Sequence, residues 1–120
     1  MIIESLGLVA RQENRREVQA ALSFLLGPTR VESGCVSCQL YQDVSNPNGF
    51  HFECLWKTEE DCARHLRSEL YKQLLILMEL GAEAPSVQFH TVSETQGLEF
   101  VYATRQQESG QTSDELTSGS

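Results

Sequence analysis

The sequence predicts an α+β fold in which helices cover one face of an antiparallel sheet. Three observations indicate it: the N-terminal segment alternates with the period of a strand, two later segments carry apolar residues at helical spacing behind capping residues, and a turn over residues 46–49 joins two strand-like runs. The predicted order is strand, helix, strand, strand, helix, strand, with one additional strand. This is the split βαβ pattern of a ferredoxin-like sheet.

The first strand is predicted over residues 2–10, where apolar side chains stand on both faces with little polar relief. We therefore expect both faces of this strand to be buried. Asn14 and Glu17 form a capping-box pattern that begins the first helix, and Gly27-Pro28 is expected to end it. Its apolar positions recur at helical spacing: Val18, Ala21, Leu22 and Leu25.

A hairpin and a long helix follow. Residues 35–43 and 50–56 are predicted strands, and the sequence Asn-Pro-Asn-Gly at 46–49 favours the turn between them. The segment Thr58 to Asp61 forms a second capping box, which places the end of the second hairpin strand just before it. One long amphipathic helix is predicted from there to about Gly81.

The C-terminal part is predicted to add two short strands, over residues 87–92 and 98–103. Residues 106–120 consist largely of Ser, Gly, Gln, Thr and acidic residues, with Leu116 as the lone large apolar side chain. This composition favours disorder, because it offers too little apolar surface to bury. We therefore expect one domain over residues 1–105 and a polar tail over residues 106–120.

Composition and charge exclude several classes of function. The chain has 120 residues and a formal net charge of -8, and its nine basic residues never cluster. A nucleic acid or an anionic membrane surface is therefore not an expected partner. No apolar run is long enough to cross a bilayer, and the first residues lack the layout of a signal peptide. We expect a cytoplasmic protein whose cysteines remain thiols: Cys35, Cys38, Cys54 and Cys62.

The uncovered face of the predicted sheet indicates a homodimer. Helices cover one face, while strands such as 2–10 and 50–56 carry apolar residues on both faces. Exposing an apolar sheet face to water is unfavourable, and a second copy of the sheet is the simplest cover.

The candidate site lies where the second hairpin strand leads into the long helix. Trp56, the only tryptophan, is followed nine residues later by His65. The indole offers a flat wall and an N–H donor, and the imidazole titrates near neutral pH. Structural roles are the alternative: core or interface packing for Trp56, and a hydrogen-bonded boundary position for His65. His51 and His90 are expected to be structural or exposed.

Four sequence features together resemble one known family: the run from Glu32 to Cys38, the segment from Leu40 to Asp43, the Asn46-Pro47 turn, and Trp56 with His65. This is the antibiotic biosynthesis monooxygenase (ABM) family, and the resemblance covers about residues 2 to 105. Two later segments resemble its small bacterial branch of quinol monooxygenases: His65 to Ser68, and Leu77 to Leu80 with Pro85.

The resemblance implies a dimeric α+β barrel and, where members act, oxygenation of electron-rich phenols or quinols by dioxygen without flavin, haem or metal. A deprotonated hydroquinone itself reduces dioxygen, so the protein need only bind the ring, accept a proton and exclude water. Trp56 and His65 are then the expected catalytic residues, and no cofactor is expected. The expected substrate-binding residues are Arg11, which would stabilise an anion, and the pocket lining Phe52, Cys54, Leu66, Leu70 and Tyr71.

Two positions depart from the family pattern. Many relatives carry a tyrosine where this chain has Cys38 and a glutamate where it has Cys54. If that glutamate accepts a proton or orients the histidine, Cys54 does not replace it, because an unperturbed thiol is mostly protonated at neutral pH.

Three alternatives remain at the level of sequence. Cys35-x-x-Cys38 with Cys62-x-x-His65 would supply four zinc ligands. Residues three apart on a regular strand point to opposite faces, so Cys35 and Cys38 would bind one ion only if a bulge lay between them. Haem binding or degradation would use the same tryptophan and histidine, although the asparagine that this activity uses is absent from residues 2–11. The third alternative is a non-catalytic, dimeric small-molecule-binding protein.

Overall fold

The computed structural model describes residues 1–110 of the chain. Its elements in chain order are β1 (Ile2–Val9), a 3₁₀ turn (Gln12–Asn14), α1 (Arg15–Arg30), β2 (Cys35–Gln42), β3 (Gly49–Trp56), α2 (Glu59–Leu66), α3 (Glu69–Met78), β4 (Ser86–Thr91) and α4 (Leu98–Gly110). The four strands form one antiparallel sheet in the order β2-β3-β1-β4. Helices α1 and α2 pack on this sheet, and α3 packs against α1. The predicted α+β ferredoxin-like fold is confirmed.

The core lies between the helices and one face of the sheet. Along β1, Ile2, Glu4, Leu6 and Leu8 are buried, while the residues between them are half-buried. Strand β3 alternates in the same way and contributes its largest side chains to the core. The expectation that both faces of β1 are buried therefore holds for one face, because the helices pack on that side only.

Helix α1 differs from its prediction at both ends. The Asn14 side chain makes no capping hydrogen bond, and a 3₁₀ turn precedes the helix instead. The helix continues through Pro28 to Arg30, because the fixed φ of proline suits a helix and the lost hydrogen bond falls in the last turn. Tertiary contacts hold this turn: Thr29 is buried, and Arg30 Nε donates to the Cys38 carbonyl at 2.9 Å.

The predicted long helix from Thr58 to Gly81 is divided into α2 and α3. The Thr58 cap is confirmed, since its hydroxyl accepts a hydrogen bond from the Asp61 amide at 3.1 Å. The chain then turns at Ser68, whose hydroxyl donates to the His65 carbonyl and accepts from the Tyr71 amide. Ser68 is thus the N-cap of a second helix, a role that apolar periodicity alone does not reveal.

The C-terminal prediction is wrong for residues 98–103, which belong to helix α4 rather than to a strand. Glu99 accepts a hydrogen bond from the Gly97 amide at the start of this helix, and its later part contains the better helix formers Ala103, Arg105, Gln106 and Gln107. The expected domain boundary at 105/106 falls inside α4, and residues 111–120 of the expected tail lie outside the described residues.

The longest helix of residues 1–110 is α1, with 16 residues. Within this part of the chain, no helix has the length and hydropathy needed to cross a bilayer.

Candidate functional site

Trp56 and His65 meet inside the core between the sheet and α2. Trp56 ends β3 on the face that the helices cover, and the Thr58 cap starts α2 so that His65 points back toward the sheet. Their ring centroids lie 4.5 Å apart with the planes inclined by 31°. Tyr71, on α3, places its ring edge-on to His65 at 5.3 Å. Trp56 is 0% exposed and His65 1% exposed, so both rings are enclosed.

Sequence reasoning missed Glu4, which is 1% exposed and lies at the centre of this cluster. Its Oε1 accepts a hydrogen bond from Trp56 Nε1 at 3.0 Å and lies 3.4 Å from His65 Nε2. A signal was present, because Glu4 stands at a core-facing position of an otherwise apolar strand, where an unpaired charge is rarely tolerated.

A second carboxylate, Glu32, reaches His65 from the loop after α1. Glu32 Oε2 accepts a hydrogen bond from His65 Nδ1 at 2.7 Å, and its side chain is 25% exposed. A carboxylate only accepts, so this bond places a proton on Nδ1 and leaves the Nε2 lone pair of the neutral ring available. His65 therefore connects a buried carboxylate to one that reaches solvent.

The two carboxylates determine how His65 titrates. Burial of the ring lowers the pKa of His65, but the contact with the Glu4 carboxylate, followed by the charge and hydrogen bond of Glu32, raises it by more. The net result is a pKa above the usual 6.5. His65 consequently accepts a proton more readily than an ordinary buried histidine does.

Two buried polar atoms of the cluster, Glu4 Oε2 and His65 Nε2, lack a hydrogen-bond partner within residues 1–110. The 3.4 Å contact between Glu4 and His65 is a charge contact whose geometry falls short of a hydrogen bond. Unsatisfied buried polar atoms are costly and uncommon, and they concentrate where a ligand or water completes the structure. The cluster therefore has free hydrogen-bonding capacity.

An apolar groove of about 290 Å³ lies next to the cluster, between α2 and the β1–β4 side of the sheet. It is lined by Ile2, Glu59, Cys62, Ala63, Leu66, Phe89 and Thr91. Phe89 is the Cα partner of Glu4 across the sheet, and Leu66 follows His65 on α2. The groove is therefore separated from the unsatisfied polar atoms by its own lining.

The structure brings together some of the predicted site residues and separates others. Phe52 and Cys54 precede Trp56 on the same face of β3, and Tyr71 touches His65. Leu66 lines the groove, and Leu70 packs at the edge of the core. Trp56 pairs with Ile2 at the start of β1, whereas Arg11 is exposed just beyond the other end of this strand. At about 3.3 Å per residue, Arg11 lies roughly 30 Å from Ile2. Arg11 is therefore not part of this cluster.

The zinc alternative depends on a bulge, and β2 has one. The register with β3 shifts between Cys35 and Ser37, which puts Cys35 and Cys38 on the same face. Within residues 1–110, however, no three His, Cys, Asp or Glu side chains are grouped so that they could hold a metal ion.

Comparison with known proteins agrees with this architecture. Residues 1–75 match the sequence profile of the antibiotic biosynthesis monooxygenase family. The chain belongs to this family. The match covers β1 to most of α3, which includes Glu4, Glu32, Trp56 and His65. The quinol branch within the family remains a prediction.

The individual proteins and solved structures that resemble this chain have low sequence identity to it. An uncharacterized protein of Synechocystis sp., sll1783, is 22% identical over 98 residues, which cover 81% of this chain and 67% of that protein. A Deinococcus radiodurans structure described as a "putative antibiotic biosynthesis monooxygenase" has a TM-score of 0.74 and 21% identity, covering 81% of this chain and 97% of that one. Rv0793 of Mycobacterium tuberculosis has a TM-score of 0.72 and 20% identity, with coverages of 80% and 98%. These structural likenesses show the fold.

Glu4 lies next to Cys54, one of the two positions at which this chain departs from the ABM family pattern. Glu4 and Cys54 are direct Cα partners on β1 and β3, so their side chains lie side by side on the covered face. Position 54, where the resemblance places a glutamate in many relatives, holds a cysteine here, but a carboxylate occupies the adjoining cross-strand position. It contacts both the indole and the imidazole.

Proposed function

We propose that this ABM-family protein oxygenates an electron-rich aromatic, a quinol or a phenol, with dioxygen and without a bound cofactor. The observation that carries the proposal is the line Glu4–His65–Glu32 beside an apolar groove, with the Trp56 indole held in the same network. Family membership and the monooxygenase descriptions of structural relatives support the reaction class.

The reaction requires few groups from the protein. Removing a hydroxyl proton from a quinol gives an anion that donates an electron to dioxygen. The protein must bind the ring in apolar surroundings, take that proton and keep water from the anion. An apolar groove and a histidine with a free lone pair meet these requirements.

His65 is the proposed base. Its Nε2 accepts the hydroxyl proton, while Nδ1–H stays bonded to Glu32, which exchanges protons with solvent. Glu4 stabilises the imidazolium across 3.4 Å and fixes the indole through Trp56 Nε1. A ring in the groove is separated from Nε2 by the lining, so the reactive complex requires Cys62 or Leu66 to move aside.

The remaining predicted residues differ in how directly they would contact the substrate. Leu66 forms the wall that the substrate touches. Tyr71 packs edge-on against the His65 ring, and Phe52 and Cys54 belong to the apolar core against which Leu70 packs. The location of Arg11 gives no support to its predicted role in stabilising an anion.

Oxygen uptake tests the proposal. Metal-stripped, flavin-free protein is given a reduced naphthoquinol, and the rate is corrected for autoxidation and repeated with His65→Gln and Trp56→Phe. We expect saturable uptake that falls at least tenfold in His65→Gln, within the range of an acid–base contribution. Lys72→Gln, exposed on α3 on the helix side of the sheet, is the control and should retain the wild-type rate. A rate equal to autoxidation in the wild type would refute the oxygenase.

One observation favours a second candidate function, a non-catalytic small-molecule-binding protein. Trp56 and His65 are enclosed, which suits a ligand that stays in the groove without reaching the base. An aromatic ligand that raises the melting temperature further as its concentration increases, with no oxygen uptake, would identify this function. No observation favours the haem alternative in the same way, since His65 is not among the residues that line the groove.

We also propose that the functional unit is a homodimer formed through the open face of the sheet. Half-buried apolar side chains such as Ile3 and Leu55 stand on this face, opposite the helices. A cavity of about 400 Å³ opens there, with Tyr41 and His51 in its lining. His51 bonds to Ser5 and Glu53 on the same face, consistent with a structural role.

A further inference from the structure

We propose that Cys38 and Cys54 are a modification site, and that hydrogen peroxide converts these two thiols into an intrachain disulfide. Both are free thiols in the structure, and both are 0% exposed. They are direct Cα partners on β2 and β3. Their sulfur atoms lie 3.0 Å apart, and the Cys54 thiol donates to the Cys38 sulfur.

The backbone geometry suits the bond. Residues directly opposite each other in an antiparallel pair have Cα atoms about 4.5 to 5.5 Å apart, inside the range of about 4.4 to 6.8 Å found for disulfides. The sulfur atoms need to approach by about 1 Å to reach the bond length of about 2.05 Å. Small rotations of two side chains achieve this without separating the strands.

The other two cysteines have different surroundings. The Cys35 thiol donates to the Ser37 carbonyl, and Cys62 lies on α2 in the groove lining. Burial is the main cause that raises the pKa of both thiols to about 11. Neither is poised opposite a partner sulfur as Cys38 and Cys54 are, so we infer that oxidation is selective for the cross-strand pair.

The oxidation consumes one molecule of peroxide. The sulfur of one cysteine attacks a peroxide oxygen, the O–O bond breaks, and a sulfenic acid forms with loss of one water. The second sulfur then attacks the sulfenic sulfur, and a second water leaves with the thiol proton. Two thiols and one hydrogen peroxide thus give one disulfide and two waters.

The reaction is expected to be slow in the closed fold. The contact with Cys38, together with burial, raises the pKa of the Cys54 thiol, so little thiolate is present at neutral pH. In the sheet that residues 1–110 form, β2 is an edge strand and pairs with β3. Edge elements open locally more easily than central ones, so we infer that opening of β2 admits the peroxide. On reclosing, the second thiol is already in place.

The disulfide would fix the edge strand to the sheet. The two residues are 16 apart in sequence, so the bond closes a loop that spans the hairpin. A cross-link of this size restricts the unfolded chain, and the melting temperature should rise by about 5 °C or more. This inference does not depend on the proposed oxygenation, because it needs neither a substrate nor turnover.

The experiment treats the reduced full chain with hydrogen peroxide and follows thiol content in denaturant, intact mass and a non-reducing peptide map. The expected result is a fall from four thiols to two, a mass lower by two hydrogen atoms, and a peptide pair joined through Cys38 and Cys54. Dithiothreitol should reverse all three changes and the rise in melting temperature.

Two variants make the outcome decisive. The double variant C35S/C62S retains the pair and should form the bond as the wild type does, whereas Cys38→Ala should not. If Cys38→Ala proves unstable, the double variant still tests the pair alone. Four thiols that persist after prolonged treatment, oxygen added to single cysteines, or a bond through Cys35 or Cys62 would each overturn the proposal.

Discussion

At the scale of single residues, the site depends on a buried carboxylate between an indole and an imidazole. Without partners, Glu4 would destabilise the apolar core, since an unpaired buried charge is strongly unfavourable. Trp56 and His65 stabilise one of its oxygens, and the other is left unsatisfied. Such an arrangement is more typical of a binding or catalytic site than of simple packing.

The titration of His65 tests this network directly. We expect its pKa, measured by NMR of the ring nitrogens, to lie above 6.5 in the wild type and to fall in Glu32→Gln, which removes a charge at 2.7 Å. Because the folded pKa is raised, the stabilisation is fully present below the unfolded value. It is lost as pH rises through the folded pKa, so wild-type stability should fall over that window more than that of Glu32→Gln.

The control for this titration is Glu53→Gln. Glu53 pairs with His51 on the opposite face of the sheet, so its removal should leave the titration of His65 unchanged. A wild-type His65 pKa at or below 6.5 would contradict the network.

At the scale of elements, the loop between α1 and β2 positions Glu32 against His65. Gly34 has a φ of 81°, in the left-handed region that glycine adopts readily. Its carbonyl accepts a hydrogen bond from the Lys57 amide at 2.8 Å, which fastens the loop to the end of β3. A Cβ at this position would overlap the Asp61 carboxyl group at the start of α2.

Gly34→Ala should therefore destabilise the protein by about 1 to 3 kcal/mol, from backbone strain and the clash with Asp61. Chemical denaturation measures this change. The matched control is Gly27→Ala, within α1, where a Cβ meets nothing within 4 Å. That change should alter stability by less than about 1 kcal/mol, because the helix preference of alanine is opposed by the steric restriction that Pro28 places on the residue before it. Equal effects of the two substitutions would contradict this view of the loop.

At the scale of the whole molecule, the sheet has one face covered by helices and one that is half-buried in the single chain. The open face combines apolar side chains with the His51 cluster. A second copy placed on this face would bury the apolar part and satisfy the expectation drawn from the sequence.

We expect light scattering coupled to gel filtration to give the mass of a dimer. Leu55→Lys should shift the protein to a monomer, because it places a charge among the apolar side chains of the open face, beside Ile3. Phe24→Lys serves as the control, since Phe24 is 74% exposed on α1 and should leave the dimer intact. A monomeric wild type at micromolar concentrations would contradict the dimer.

Several features were determined by the sequence itself. The hairpin, the Thr58 cap and the alternation of β1 and β3 follow from local rules, since side-chain period and capping chemistry act over a few residues. The family was recognisable from the run from Glu32 to Cys38, the hairpin that follows it, and Trp56 with His65. These features were sufficient for the fold and, within the buried cluster, for Trp56, His65 and Tyr71.

Other features were decided only by tertiary structure. Pro28 stays helical because the next turn is anchored to β2, and residues 98–103 form a helix although their apolar pattern resembles a strand. Glu4 and Glu32 join His65 from elements distant in sequence, a proximity that only sheet register and helix packing create. Secondary-structure propensity and apolar patterns depend on residues close together in the sequence. The chemistry of this site depends on residues that are distant in sequence and close in space.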